Sequence, residues 1–364
     1  MSPPSKIYDL PTPALLLNWP VAQRNIERAA AFVDGRPVRL RPHFKNHKCV
    51  PLAKHQLAAG GCCGITSATV DEAAALVDGG VEDVLIANQV VGISRVEQLL
   101  DLCQRATVRA AVDSVANALP IGQAAAARGI EVGVLAEIDV GSHRCGTQAG
   151  APTIDLVRQL TEIPGIRFDG LQAYHGYVVG MPLSAERDEE ARQSMIPAIE
   201  TRRALESEGI VCPILSGAGT ATYRVVGQME GVDELQIGSY VTLDWSYKQR
   251  VGDEFDVALS VLATVLSARS DTYVLDAGVK AIAHEFGPPQ IAHPPSSQIP
   301  RFSAEEHAVV RATEHGLKVG DRVHVTPSHA CATCNLHHQI VVHEGDDVVD
   351  VWPISARGYG LDLT

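Results

Sequence analysis

The decapeptide RLRPHFKNHK, Arg39 to Lys48, gathers Arg39, Arg41, His43, Lys45, His47 and Lys48 in a chain whose formal net charge is -13. A lysine among cationic neighbours gives up its proton more readily and can attack a carbonyl, so Lys45 reads as a candidate nucleophile. A solvated basic face is the alternative, the usual fate of a charge run. A second stretch, SGAGTAT at 216–222, offers close-approach amides at Gly217 and Gly219 and hydroxyls at Ser216 and Thr220, just before a helix start. That combination suits a phosphate, although the loop is neither a Walker motif nor G-x-G-x-x-G and also fits a plain turn. IGSY, with Gly238, Ser239 and Tyr240, adds a second set of amides. In PSHACATCNLHH, His329 and Cys331 stand two residues apart, so an extended backbone would place both on one face to grip a metal. Cys334 makes a C-x-x-C with Cys331, a spacing also used by redox pairs and half zinc sites, and His337 and His338 follow.

These residues need a frame. Short β-type runs alternate with helix-type stretches up to about residue 240: candidate strands are 38–43, 62–66, 83–88, 107–113, 132–140, 168–175, 211–216 and 234–238. Eight strands, each followed by a helix-length connection, predict a (β/α)8 TIM barrel, whose chemistry sits at the C-terminal strand ends. Lys45 then follows strand one, Arg144 strand five, Tyr174 and His175 end strand six, Ser216 to Thr220 follow strand seven, and Gly238 to Tyr240 follow strand eight. Beyond the barrel the texture turns β-rich, in VALSVLATVLSA, TYVLDAG, DRVHVTP, QIVVHEG and VVDVWPIS, which predicts a second, mostly β domain. We expect the barrel over 15–245 and the β-rich domain over 1–14 and 246–364, with the Pro-rich segment 284–307 as an irregular loop.

Composition narrows the ligand. A chain of 364 residues with 46% apolar and 20% charged side chains can bury a full enzyme core. No apolar run reaches the roughly 18 residues of a membrane span, and the acidic balance without a basic stripe argues against nucleic acid. The opening MSPPSKIYDLPTP lacks a signal-peptide layout, so the eight cysteines are expected as thiols in the cytoplasm. A small molecule is the expected partner. A phosphate loop across from a lysine on strand one suggests pyridoxal phosphate, whose aldehyde condenses with a lysine amine while its phosphate is anchored elsewhere. Arg144 would face the phenolate oxygen of that ring, or else form an ordinary surface salt bridge.

Taken in order, TPALLLN with RNI downstream, LRPHFKNHK, EIDVGSHRCG, GLQAYHG, SGAGTATY, ELQIGSY, LDAGVKA, SAEEH, PSHACATCNLHH and ISARG resemble the D-threonine aldolase and D-serine dehydratase group of alanine-racemase-like, fold-type III pyridoxal phosphate enzymes. The resemblance covers essentially the whole chain. It implies that Lys45 carries the cofactor, that Arg144 faces its phenolate, that Tyr174 lies close by, and that Gly217, Gly219, Thr220, Gly238 and Ser239 hold the phosphate. It further implies a divalent metal at His329 and Cys331 (zinc or manganese, with magnesium or cobalt as alternatives), a D-3-hydroxy amino acid substrate, and a homodimer. Two departures stand out. Aldolases of the group place an aspartate where this chain has Cys331, whereas the dehydratases use His with Cys; and a histidine found in some aldolases is Gly180 here. GLQAYHG and DVGSHRCG resemble the aldolase branch more closely. Retro-aldol cleavage to glycine and an aldehyde is therefore the leading expectation, dehydration to a keto acid and ammonia the second, and a racemase, a non-catalytic pyridoxal phosphate carrier or a metal-only hydrolase the remaining alternatives.

Overall fold

The computed structural model describes residues 5–293, 301–302, 304–312 and 315–358. Two compact units share the chain: one is Ala29–Lys45 with Leu52–Gly238, the other Met1–Arg28, Asn46–Pro51 and Ser239–Thr364.

In the first unit eight parallel strands follow the expected rhythm: β1 (Arg39–Leu40), β2 (Ile65–Ser67), β3 (Asp83–Gln89), β4 (Thr107–Val112), β5 (Val132–Glu137), β6 (Ile166–Ala173), β7 (Ile214–Gly217) and β8 (Glu234–Leu235). The hydrogen-bonded path runs from β1 through β8 and back down to β2. Bridges from Leu40 to Cys62 and from His43 to Thr66 join its two ends and close the barrel. Strand seven starts later than expected, since Pro213 has no N–H to give a ladder, and strand eight starts where expected but ends early, at Leu235. The intervening helices start where side chains replace missing backbone partners. Thr69 accepts from the Glu72 amide before Val70–Asp78, Ser114 and Asn117 form a capping box before Val115–Ala127, and Ser184 accepts from the Arg187 amide before Ala185–Ser207.

The lower half of the barrel interior is ionic. Arg41, 2% exposed, binds Glu234 through Nε (2.7 Å) and Nη2 (2.6 Å) and Asp83 through Nη1 (2.6 Å). Arg109 bridges Asp83 to Asp169, where Arg167 also ends. Gly64 and Gly133 make the room: a Cβ on Gly64 would run into Arg41 and Asp83, and one on Gly133 into Asp169.

The second unit is built on a nine-stranded sheet, with Leu259–Arg269, Thr272–Leu275, Arg322–Thr326, Gln339–Glu344 and Asp347–Pro353 where β texture was expected. Two features differ from expectation. Strand Ala14–Asn18 pairs antiparallel with Leu259–Arg269 and parallel with Gln339–Glu344, because Leu15, Leu16 and Leu17 are all buried there; it is no part of the barrel. The segment read as an irregular loop contains strands Gln290–His293 and Arg301–Phe302, and its residues 294–300 and 303 lie outside the described residues. Among the described residues no helix is long and apolar enough to cross a membrane.

Replacing Arg41 by Met would leave the buried Glu234 without its cation and Asp83 with Arg109 alone. Breaking a buried pair from one side costs about 3–5 kcal/mol, so Arg41→Met should unfold at clearly lower urea concentration; an unchanged midpoint would show the network to be solvated.

Candidate active site

The six basic residues of the opening decapeptide part company in the fold. Arg39 donates to the Gly61 and Cys62 carbonyls, Arg41 enters the ion network, and His47 is buried with Nδ1 accepting from the Cys49 amide. Lys48 reaches Asn335 at 2.8 Å. His43 and Lys45 line a pocket in the barrel unit together with Asn88, Arg144, Gln172, Tyr174 and Gln236. The 3-10 turn Phe44–Asn46, directly after β1, presents Lys45.

Tyr174 is the centre of this pocket. Lys45 Nζ lies 5.6 Å and Arg144 Cζ 5.7 Å from its ring centroid, within cation–π range of one aromatic face system. Arg144 also stands 3.6 Å from Glu137, which accepts from Gln89 at 2.5 Å. Burial pushes the Glu137 carboxyl above its ordinary range, against the pull of Gln89, Arg144 and Gln172. Two neutral amides complete the wall: Gln236 donates to Gln172 (3.2 Å) and Ser216 (3.0 Å), and Gln172 donates to the Ala87 carbonyl. Neither glutamine was singled out from sequence, yet Gln172 and Tyr174 sit two apart at the end of β6, the spacing that puts side chains on one side of an extended chain.

His175, expected as a catalytic group, takes the other side. It is fully buried, with Nδ1 2.9 Å from Ser194 and Nε2 2.8 Å from Thr222, and is absent from the pocket lining. Its bond to Thr222 matters for the loop after β7, because the Thr222 hydroxyl also accepts from the Gly219 amide at 3.2 Å. In that loop Ala218 adopts a left-handed φ of 62°. A Cβ on Gly217 would strike the Ala173 carbonyl, and one on Gly219 would crowd Val179. Thr220 Oγ1 is buried without a hydrogen-bond partner. A buried hydroxyl with nothing to bond, beside backbone that only glycine allows, fits a phosphate group. Of the second expected amide set, Gly238 ends the barrel unit; Ser239 and Tyr240 belong to the other, where the buried Tyr240 ring packs 5.7 Å from Phe255.

The metal candidates lie in the second unit. The expected shared extended stretch is absent: His329 has extended backbone but is the N-cap of the short helix Ala330–Leu336, and Cys331 in that helix comes within hydrogen-bonding range of its ring. His329 Nδ1 is bonded to Glu285, and Asn46 Nδ2 points at Cys331 Sγ across 3.7 Å. Burial pulls the His329 pKa down, but Cys331, Glu285 and Asp244 raise it to about 9. Imidazole nitrogen and thiol sulfur meeting in one place are a donor set that suits zinc and other borderline cations. Among the described residues no group of three His, Cys, Asp or Glu side chains is arranged to hold an ion, so this is a two-donor pair. Cys334 is fully buried in the same helix, with its thiol pushed well up, and none of the eight cysteines forms a disulfide. His337 is bonded to the Ala281 carbonyl and His338 to Arg357, which leaves neither for the pair.

A model of the alanine racemase N-terminal domain matches residues 21–244, and one of a serine dehydratase domain matches 258–343. The chain is 38% identical to a D-threonine aldolase of an Arthrobacter species, covering 96% of this chain and 93% of that one. The solved D-threonine aldolase of Filomicrobium marinum superposes with a TM-score of 0.94 at 32% identity, over 98% of this chain and 99% of the other. The D-threo-3-hydroxyaspartate dehydratase of Delftia sp. HT23 gives a TM-score of 0.86 at 29% identity, over 98% and 100%. A metal-free form of such a dehydratase carries a cysteine-to-alanine substitution.

Burial drives the His175 pKa from 6.5 to about 4. The unfolded chain therefore binds this proton first as pH falls, so the associated stability is complete above about pH 6.5 and is lost on going down toward 4. About 3 kcal/mol rides on this group. Urea unfolding across that window should show the loss, and His175→Asn should flatten it.

Proposed function

This chain belongs to the alanine-racemase-like family that includes D-threonine aldolases and D-threo-3-hydroxyaspartate dehydratases, and we propose that it is a pyridoxal phosphate- and divalent metal-dependent lyase cleaving D-3-hydroxy amino acids of the D-threonine type into glycine and an aldehyde. The observation that carries this reading is the barrel pocket, where Lys45 and Arg144 flank Tyr174, together with the unpartnered Thr220 hydroxyl in the loop after β7.

When bound, pyridoxal phosphate supplies an electron-accepting ring that stabilises negative charge at the substrate Cα. Lys45 is the amine that tethers the cofactor and later hands a proton to Cα of the leaving glycine. Arg144 and Tyr174 would hold the ring, Arg144 as the cation for its phenolate oxygen. Gly217, Gly219 and Thr220 would hold the phosphate with Gly238 and Ser239. His175 acts at one remove, fixing Thr222 and so the loop amides. His329 and Cys331 would hold the cation, which would supply Lewis acidity toward the substrate β-hydroxyl. The side chain at 180 is a hydrogen atom, so no base acts from that position. We further propose a cytoplasmic homodimer, consistent with eight cysteines outside any disulfide and with the family resemblance.

Dehydration is the second reading, favoured by Cys331 as the partner of His329. In it Lys45 takes the α-proton and hydroxide leaves Cβ, giving an enamine whose hydrolysis by water releases a keto acid and ammonia.

Product analysis of the metal-loaded protein with D-threonine, D-phenylserine, D-serine and D-3-hydroxyaspartate decides between them. Glycine and aldehyde are expected. Lys45→Ala should lose the visible cofactor band and the activity together, by at least about 10³-fold if Lys45 acts both as tether and as proton donor. Keto acid and ammonia as sole products would establish the second reading.

A further inference from the structure

We propose that Asn46 and Glu285 are positioning residues that aim the sulfur of Cys331 and the Nε2 of His329 at a shared divalent cation, an inference that rests on the metal reading above. Three contacts argue for it. The Asn46 side chain is 1% exposed, and its Oδ1 accepts from the Thr242 hydroxyl at 2.7 Å. That bond settles which way the amide faces: with the oxygen committed to Thr242, the NH2 must point the other way, and there it meets Cys331 Sγ at 3.7 Å. The sulfur is thereby held in one rotamer by a donor that cannot itself bind a cation.

Glu285 does the same for the imidazole. Its carboxylate accepts from His329 Nδ1, which assigns a ring proton to Nδ1 and leaves Nε2 as the nitrogen for a cation, while Cys331 lies within hydrogen-bonding range of the same ring. Carboxylate–imidazole pairs of this kind orient metal-bound histidines in general. Between the two donors, the Ala330 amide is fixed by Asp244 Oδ2 at 2.8 Å, so the backbone joining His329 to Cys331 is itself held. Asn46 directly follows Lys45 in the turn Phe44–Asn46. One three-residue turn thus carries the cofactor amine and the amide that directs the metal thiol.

The test uses cobalt(II) in place of the native ion, since sulfur ligation to cobalt gives a near-ultraviolet charge-transfer band that a merely structural role would not create. Holo protein is stripped of metal, titrated with cobalt(II), and followed by that band and by competition with a chelator; the cofactor absorption of each variant is recorded as a check on folding. Glu285→Gln, at a half-exposed position, is expected to weaken cobalt affinity about 10–100-fold with the cofactor band intact. Asn46→Asp, which swaps the donor for an oxygen facing the sulfur, is expected to lose affinity to a similar extent and to shift the sulfur band. Should Asn46→Asp fail to fold, Thr242→Val frees the same amide to rotate and is expected to act in the same direction more weakly. Wild-type affinity and an unshifted band in Glu285→Gln and in the folded Asn46 or Thr242 variant would overturn the positioning roles while leaving the metal reading intact. A wild-type protein without the sulfur band, indistinguishable from Cys331→Ala, would sink the metal reading and this inference with it.

Discussion

Arg41 is the bond on which the barrel turns. Its guanidinium is gripped on one side by Glu234 of β8 and on another by Asp83 of β3, while its backbone N–H donates to the Leu235 carbonyl and its carbonyl accepts from the Thr66 hydroxyl. β1 is only two residues long and could not hold a barrel seam by ladder bonds alone. A buried guanidinium with five fixed donors can, because every carboxylate it touches comes from another strand. The residues just past Arg41 inherit that fixity. Lys45 is four residues on, in a tight turn, so its amine is delivered to the pocket by a rigid base.

The same economy shapes the upper half of the barrel. The pocket walls are amides and aromatic surface, with Glu137 set back behind Gln89 and Arg144. Gln172 and Gln236 bond to each other, and Gln236 also to Ser216, a neutral network that keeps its geometry whatever the protonation state of a ligand. His175 belongs to the same logic. With both nitrogens occupied and its charge suppressed by burial, it is a cross-brace between the long helix Ala185–Ser207 and the loop after β7. In the other unit, His329 and Cys331 are held by residues distant in sequence, Glu285 and Asn46, so the orientation of each donor comes from a different part of the chain.

Much of this was legible beforehand. The eight-strand rhythm, the change of texture into a β-rich unit, the lysine after strand one and the glycine loop after strand seven all come from local pattern, since strand alternation, helix caps and glycine-only backbone leave marks within a few residues. Where the sequence reading missed, the deciding contact was long-range. The strand Ala14–Asn18 reads as any apolar run and becomes part of the β sheet through Leu259–Arg269 and Gln339–Glu344, both far along the chain. Tyr174 and His175, neighbours in AYHG, look equally reactive until the fold puts Tyr174 in the pocket and buries His175 between Ser194 and Thr222. His329 and Cys331 come together in a geometry other than the expected strand: a helix start, with its N-cap outside the turn, brings the two within hydrogen-bonding range.

The sequence by itself determined the elements, their order and the residue types available for chemistry, because backbone propensity and side-chain periodicity act over a few residues. Only the tertiary structure decided which of six basic residues in one decapeptide became a pocket amine, which a buried strut and which a surface contact. Burial and ion pairing depend on Glu234, Asp83, Gly61 and Asn335, partners between 22 and 287 positions away that no local window contains.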